Sequence, residues 1–155
     1  MGRDKKPLWL SGTVSAVRNN KNEVDYIVIH AQDITEQKLL SEDLQYLALH
    51  DTLTGLPNRF SIEKHLQLLL QDQTAPNHVF CYIDVDQFKV INDTCGHKAG
   101  DKLLIQIAHL IKCELQPSDV LSRLSGDEFA VLFMNTSATQ AQAKLNKVMD
   151  KIRHF

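Results

Sequence analysis

Residues Val79–Ile83 form a nearly continuous apolar run of strand length that ends directly in acid, at Asp84 and Asp86. An uninterrupted apolar strand is typical of a sheet that helices cover on both faces. Further along, Arg123–Phe129 encloses a Ser-Gly-Asp-Glu turn between two apolar segments, which predicts a tight hairpin with acids at its tip. Two acidic clusters at strand ends suit a hard cation that grips phosphates, so nucleotide chemistry is the leading hypothesis.

The remaining periodicity predicts an α/β (α+β) sandwich whose mixed, partly antiparallel sheet is flanked by helices. A loop containing Asn92, Gly96 and Gly100 is expected after the first of these strands, and Val120–Arg123 and Phe129–Phe133 flank the hairpin turn. At 155 residues and 43% apolar composition, the chain suffices for one full core with an appendage. Three apolar sets at helical spacing predict helices: Phe60, Ile62, Leu66, Leu69 and Leu70; Leu103, Leu104, Ile107, Leu110 and Ile111; Ala141, Leu145, Val148, Met149 and Ile152.

The first part of the chain alternates apolar and polar residues. Trp9–Arg18 and Val24–His30 flank the turn-forming Asn19–Asn22, which predicts a β-hairpin. A two-stranded hairpin is marginally stable by itself, so we expect it to be a remnant of a larger sheet or to pack on something outside the chain.

From Asp33 onward the period becomes helical. Thr35 and Glu36 are expected to open a polar helix whose apolar stripe consists of Leu40, Leu44 and Leu47. Two interpretations stay open: a helix lying on its own domain, and a parallel coiled coil joining two protomers. We therefore expect a linker over residues 33–50, between an N-terminal segment (1–32) and a C-terminal domain (51–155).

A turn-rich boundary segment follows at His50–Arg59. Asp51 or Thr54 can cap the next helix, and Pro57 suits the first turn of that helix.

Charge and cysteine content exclude several classes of partner. The net charge is −2 with no basic tract, so no nucleic acid partner is expected. The three cysteines show no C-x-x-C pairing, which argues against a disulfide framework and a structural zinc site and favours a reduced, cytoplasmic location. No apolar run approaches the roughly 20 residues of a membrane span, so no membrane segment is expected in this chain.

The acids allow more than one arrangement. Asp84 and Asp86 can share one strand face and reach one ion, or Asp86 caps the following turn while Asp84 alone binds metal. In the hairpin, Gly126 permits a positive φ and close backbone approach to a ligand beside Asp127 and Glu128. A hairpin Asp-Glu pair can also be a solvated turn, and it is the second acidic cluster that favours a functional interpretation.

These segments together resemble a known family. His50–Phe155 closely resembles the N-terminal two-thirds of a GGDEF domain, the catalytic module of diguanylate cyclases, which condense two GTP into cyclic di-GMP and release pyrophosphate. Trp9–Lys38 resembles the last two strands and exit helix of a PAS sensor domain. The resemblance implies the fold of nucleotidyl cyclases and polymerase palms. The GGDEF-like segments, in the family's order and spacing, are Asp51–Arg59, Asp84–Asp93, Gly96–Asp101 and Arg123–Phe129.

The resemblance implies a divalent metal site. Asp84 and Asp127 are the expected side-chain ligands of Mg²⁺ or Mn²⁺, the Val85 carbonyl completes the set, and Glu128 is a neighbouring acid needed for activity. The metal would neutralise the triphosphate while the 3′-hydroxyl of one GTP attacks the α-phosphate of the other.

The resemblance also implies a GTP site that includes Gly126. Asn92 and Asp101 are expected to read the guanine edge, and backbone N–H groups near Phe88 and the Lys89 ammonium to hold the β- and γ-phosphates. The residues alone leave alternatives open. Asn92 and Asp101 can instead be a pair that stabilises the loop, and Lys89 can be a solvated surface lysine. A homodimer is expected for activity, because each protomer holds one GTP.

Three features depart from the family's pattern. Ser125 replaces the first glycine of the signature, a change that we expect to be tolerated. Gln116 replaces the arginine of the family's inhibitory Arg-x-x-Asp motif, so no inhibitory site is expected at Gln116–Asp119. The sequence stops at Phe155, before the segments with which family members complete the sheet, so we expect it to be a fragment of a longer protein.

The sequence is compatible with three functions. The first is a PAS-regulated diguanylate cyclase module. The second is a GTP-binding regulatory GGDEF domain that controls a downstream EAL phosphodiesterase of cyclic di-GMP. The third is a sensory or dimerisation piece without nucleotide chemistry.

Overall fold

The computed structural model describes residues 7–71 and 77–153. The chain divides into two compact units, one ending at Tyr46 and the other beginning at Leu47. Within the described ranges, no helix combines the length and apolar character needed to cross a membrane.

The first unit contains an antiparallel hairpin of β1 (Leu10–Arg18) and β2 (Val24–Asp33), which confirms the predicted hairpin. Asn19 shapes its turn, because its side-chain Oδ1 accepts hydrogen bonds from the N–H groups of Lys21 (2.9 Å) and Glu23 (3.0 Å). Apolar side chains of both strands are exposed, so the hairpin buries almost none of its apolar surface among the described residues.

Helix α1 (Thr35–Leu49) follows the hairpin and confirms the predicted helix. The Asp33 carboxylate accepts the Thr35 N–H at 2.9 Å. Hydrogen bonding from the Thr35 side chain, and then from its N–H, lowers the pKa of Asp33. Among the described residues α1 buries none of its side chains. The exposed leucines of the stripe are Leu40, Leu44 and Leu47.

The second unit is an antiparallel three-stranded sheet with helices on both faces, which confirms the predicted sandwich. The strand order is β3-β5-β4. Its strands are β3 (Val79–Asp84), β4 (Val120–Ser125) and β5 (Glu128–Phe133), and its helices are α2 (Arg59–Gln71), α3 (Phe88–Cys95), α4 (His97–Glu114) and α5 (Ala138–Arg153).

The central strand β5 carries the core. On one sheet face Phe129 and Phe133 pack with residues of α4 and α5, and on the other Ala130 and Leu132 pack with Ile62 of α2. All five of these side chains are buried. The predicted apolar faces of α4 and α5 are confirmed by the buried residues Leu104, Ile107, Ile111, Ala141 and Val148.

Burial of β3 on both faces was a wrong prediction. Its residues alternate between half-buried and exposed, with Phe80 39% and Tyr82 58% exposed. The reason is position: β3 is at the edge of the described sheet, whereas α2 packs against β4 at the other edge. The same geometry corrects the predicted face of α2, because Phe60 and Leu70 are exposed while Ile62 is buried.

Two local predictions after the boundary segment also need correction. The N-cap of α2 is Asn58, whose Oδ1 accepts the Ser61 N–H at 3.0 Å, rather than Asp51 or Thr54. The expected loop around Gly96 is mostly helical. Gly96, at φ 84°, is the single residue between α3 and α4, and this positive φ, which glycine adopts readily, lets the chain turn from one helix into the next.

Candidate functional site

The two acidic clusters meet at the last rung of the sheet. Asp84 ends β3 and lies directly opposite Glu128, the first residue of β5. One step beyond, the Val85 N–H donates to the Asp127 carbonyl oxygen across 3.3 Å. Residues directly opposite in an antiparallel pair point to the same sheet face, so the carboxylates of Asp84 and Glu128 are neighbours. Acids remote in sequence thus lie at one end of the sheet.

Gly126 and Asp127 form the tip of the hairpin between β4 and β5. Gly126 has a φ of 43°, which confirms the expected positive φ. A Cβ built at Gly126 would meet nothing within 4 Å, so the backbone is open on that side. A ligand can therefore approach the main chain at the tip.

Arg123 holds this tip, a role that the sequence analysis missed. Its guanidinium donates to the Gly126 carbonyl oxygen from Nε (3.0 Å) and Nη2 (2.7 Å). Its Nη1 donates to both carboxylate oxygens of Asp51, at 2.9 and 3.1 Å. The side chains of Arg123 and Asp51 are only 12% and 22% exposed. The signature turn is therefore tied to the boundary segment before α2.

Asp51 is fixed from a second direction by Thr54. The Thr54 N–H (2.8 Å) and hydroxyl (2.6 Å) both donate to its Oδ1. Partial burial alone would raise the pKa of Asp51, but hydrogen bonds from Thr54 and Arg123 outweigh it, so the pKa lies below its usual value. Asp51 is thus an ionised partner of Arg123 at neutral pH. The sequence does place residues of opposite charge, Asp51 and Arg123, in two turn segments. They are 72 positions apart, however, and a single sequence does not show that such distant residues pair.

A second network surrounds Glu128. The Ser125 hydroxyl donates to its Oε2 at 2.5 Å, and Nη2 of Arg59 lies 3.6 Å from the same oxygen. Arg59 also donates to the Tyr82 hydroxyl at 3.4 Å. The serine that replaces the family's glycine thus has a partner in this chain, and Arg59 belongs to the site although the sequence did not predict it.

The arrangement in which Asp86 shares a strand face with Asp84 is wrong. It lies beyond β3, in the turn before α3, so it does not share a strand face with Asp84. Strand pairing stops at Asp84 because its partner strand begins at Glu128, directly after the hairpin tip. The N-cap of α3 is Gln87, which has a left-handed φ of 59° and makes no side-chain cap bond.

Two predicted ligand groups contact each other. The Phe88 N–H donates to the Val85 carbonyl oxygen across 3.2 Å. A carbonyl oxygen has two lone pairs, so Val85 retains one for a cation, whereas the single donor of Phe88 is already used. Phosphate binding near Phe88 therefore needs other donors. Lys89 lies exposed in the first turn of α3, where its ammonium is accessible.

The predicted guanine readers lie on two packed helices rather than in a loop. Asn92 is on α3, and its main-chain oxygen accepts the Gly96 N–H at 2.9 Å. Asp101 is on α4, directly after Gly100, which is buried against the Asn92 side chain. Packing of α3 on α4 thus brings Asn92 and Asp101 to the same corner of the unit.

Asp119, which ends the segment expected to lack an inhibitory site, is turned inward. Its side chain is 0% exposed and forms an ion pair with Lys144 at 3.0 Å. It also accepts the N–H groups of Gln116 (3.0 Å) and Met134 (3.1 Å). The carboxylate is therefore committed to holding β4, β5 and α5 together.

The donors at the last rung fit a divalent cation. Asp84, Asp127 and the Val85 carbonyl would supply hard oxygen ligands, and Mg²⁺ is commonly held by one or two carboxylates together with substrate phosphates. Across residues 7–71 and 77–153, no group of three or more His, Cys, Asp or Glu side chains is placed to hold a metal ion.

Comparison with known proteins gives a consistent picture. Residues 48–155 match the family model described as "Diguanylate cyclase, GGDEF domain". The chain is 41% identical over 130 residues to the probable diguanylate cyclase DgcE of Escherichia coli K12, covering 83% of this chain and 12% of DgcE. It is 35% identical over 146 residues to the cyclic di-GMP phosphodiesterase PdeB of Shewanella oneidensis, covering 94% of this chain and 17% of PdeB. The chain thus spans a small part of the length of each relative.

The fold has counterparts among solved structures. Diguanylate cyclase SiaD from Pseudomonas aeruginosa, solved in complex with its activator SiaC, superposes with a TM-score of 0.64 at 34% identity, covering 74% of this chain and 45% of that chain.

Proposed function

The chain belongs to the diguanylate cyclase GGDEF-domain family, and from this premise we propose that it is a cyclase module that condenses two GTP into cyclic di-GMP and releases pyrophosphate. The observation that carries the proposal is the last rung of the sheet, where Asp84 meets the signature turn. A phosphoryl-transfer site needs acids at such a convergence, and the chain retains Asp84, Asp127 and Glu128 together.

The acids divide into two roles. Asp84 and Asp127, with the Val85 carbonyl, would hold Mg²⁺ or Mn²⁺, which when bound neutralises triphosphate charge. Glu128 is the neighbouring acid required for activity, and Ser125 and Arg59 support its fixed position beside the reacting groups. The 3′-hydroxyl oxygen of each GTP forms a bond to the α-phosphorus of the other, each hydroxyl loses its proton, and each α-phosphorus loses pyrophosphate. Two GTP thus give one cyclic di-GMP and two pyrophosphates.

The rest of the nucleotide is held by the α3–α4 corner and the hairpin tip. Asn92 and Asp101 read the guanine edge, and their common corner supports this role. The Lys89 ammonium and backbone N–H groups near Phe88 hold the β- and γ-phosphates, and the open backbone at Gly126 admits the nucleotide.

The reaction joins two nucleotides, so the active species is a homodimer in which each protomer presents one GTP. The exposed leucine stripe of α1 (Leu40, Leu44 and Leu47) supports a parallel coiled coil between protomers. In this proposal residues 1–32 are the end of a PAS sensor domain, 33–50 the linker and 51–155 the GGDEF domain. The described cysteines are free thiols, which fits a reduced cytoplasm where GTP is available.

Turnover by the full-length dimeric protein tests the proposal. Incubation with GTP and Mg²⁺ should yield cyclic di-GMP and pyrophosphate, quantified by chromatography with mass detection. Asp84→Asn, Asp127→Asn and Glu128→Gln should each lower the rate by about a hundredfold or more. Glu63→Gln and Asp150→Asn, exposed acids of α2 and α5, serve as controls and should retain the rate.

Two outcomes would contradict the cyclase function. Tight GTP binding without turnover in a dimer would favour a regulatory GGDEF domain acting on an EAL phosphodiesterase. Absence of GTP binding would leave a sensory or dimerisation piece.

A further inference from the structure

We propose that Gly100 is a positioning residue for guanine recognition, because only a residue without a side chain there lets Asn92 occupy its place on α3. The inference rests on the proposed function and deepens it, since it concerns how the base is selected rather than how the phosphates react.

The contact is unusually close. A Cβ built at Gly100 would lie 2.1 Å from Oδ1 and 3.1 Å from Cγ of Asn92, and 3.1 Å from Cζ of Phe88. Real Cβ atoms do not approach other heavy atoms to 2.1 Å, so any side chain at position 100 must displace the Asn92 amide. The space that the glycine leaves open is thus filled by the residue proposed to read the base.

The backbone gives no other reason for a glycine at this position. Gly100 lies inside α4, and the glycines with a positive φ among the described residues are Gly55, Gly96 and Gly126. A glycine in a helix interior is less favourable than alanine, so the helix alone would favour alanine. The close contact with Asn92 is therefore the physical requirement that glycine meets.

The consequence is pre-organisation of the two base readers. The Asn92 side chain is half-buried and packs against Gly100 of α4, and Asp101 is the next residue along that helix. An amide that is already confined loses less conformational entropy when it meets the base. Gly100 acts through Asn92 and does not itself contact the nucleotide.

The test is GTP binding by the full-length protein with Mg²⁺ present, measured by calorimetry. Gly100→Ala should weaken GTP binding about tenfold and reduce the preference for GTP over ATP. The melting temperature should change little, because the higher helix propensity of alanine offsets the unfavourable contact with Asn92. Gln106→Ala, an exposed change on the same helix, is the matched control and should retain GTP affinity. Asn92→Ala should weaken GTP to a similar extent, and adding Gly100→Ala to it should cause no further loss.

A second readout separates this inference from the proposed function. The side-chain amide resonances of Asn92 in NMR spectra without nucleotide should shift in Gly100→Ala and stay unchanged in Gln106→Ala. If wild type fails to bind GTP, the proposed function falls, and the amide resonances still decide whether Gly100 places Asn92. If Gly100→Ala does not fold, the Asn92→Ala, Gly100→Ala double variant should regain the fold. Wild-type GTP affinity and unshifted Asn92 resonances in Gly100→Ala would overturn the inference.

Discussion

Replacing Arg123 with methionine should destabilise the second unit by about 2 kcal/mol at neutral pH. The change removes two hydrogen bonds to Gly126 and two to Asp51, and it leaves an ionised, partly buried carboxylate without its cation. Exposed ion pairs contribute about 0–1 kcal/mol, whereas breaking a fully buried pair costs about 3–5 kcal/mol. Side chains that are 12% and 22% exposed place this pair between the two limits.

Arg59→Met is the matched control. It removes the same side chain from an ion pair whose atoms lie 3.6 Å apart and whose side chains, Arg59 and Glu128, are 52% and 35% exposed. Screening by water keeps such a pair weak, so the loss should stay below about 1 kcal/mol.

Urea unfolding followed by far-ultraviolet circular dichroism is the appropriate assay. The chain has one tryptophan, Trp9, which belongs to the first unit, whereas circular dichroism detects the helices and strands of the second unit directly. The midpoint should fall for Arg123→Met with an unchanged slope. Equal losses in the two arginine variants would refute the argument from burial.

The pH dependence of the stability difference between wild type and Arg123→Met tests whether the Arg123–Asp51 ion pair causes it. The pKa of Asp51 is lowered in the folded protein from its usual 3.8, so the stabilisation from its ionised form is present above pH 3.8. It is lost as the pH falls through the folded pKa, when the carboxylate takes up a proton. The difference between wild type and Arg123→Met should therefore narrow in measurements below pH 3.8, and a constant difference would point to packing instead.

Three further changes have expected outcomes. Lys144→Met should lower the free energy of unfolding, measured with urea, by about 3 kcal/mol, because it leaves the fully buried Asp119 carboxylate without its cation. Lys147→Met, at an exposed position of the same helix, should leave the free energy of unfolding nearly unchanged. Asn58→Ala should cost about 1 kcal/mol through loss of the α2 cap, and an unchanged midpoint would contradict that role. Gln116→Arg should not create submicromolar calorimetric binding of cyclic di-GMP, because Asp119 stays bound to Lys144, and tight binding would show that the ion pair opens readily.

Periodicity predicted most elements of the second unit, but it could not predict which surfaces they cover. The apolar run at Val79–Ile83 predicted a strand correctly, and the Arg123–Phe129 segment predicted the hairpin. Exposure of Tyr82 and Leu70 depends on where α2 crosses the sheet, which is a tertiary property. The hydrophobic pattern of one strand does not contain that information.

The candidate site was also predicted only in part, because some of its contacts depend on tertiary structure. Motif spacing identified the acids, and strand register then places Asp84 opposite Glu128. The contacts of Arg123 with Asp51 and of Arg59 with Glu128 join segments far apart in the chain, and composition does not specify such pairs. The helical state of Phe88–Cys95 was also missed, because its amphipathic pattern is only eight residues long and is followed directly by the turn-forming residue Gly96.

The opposed acids of the last rung also affect local opening of the sheet. Like charges facing each other weaken strand pairing. The hydrogen bond there from the Val85 N–H to the Asp127 carbonyl oxygen is already long, at 3.3 Å. Fraying of β3 from β5 should begin at this end, so the Val85 amide proton should exchange with solvent sooner than amides paired near Val131. Counterions that neutralise the acids would slow that exchange, which makes local order at this end of the sheet dependent on ionic conditions.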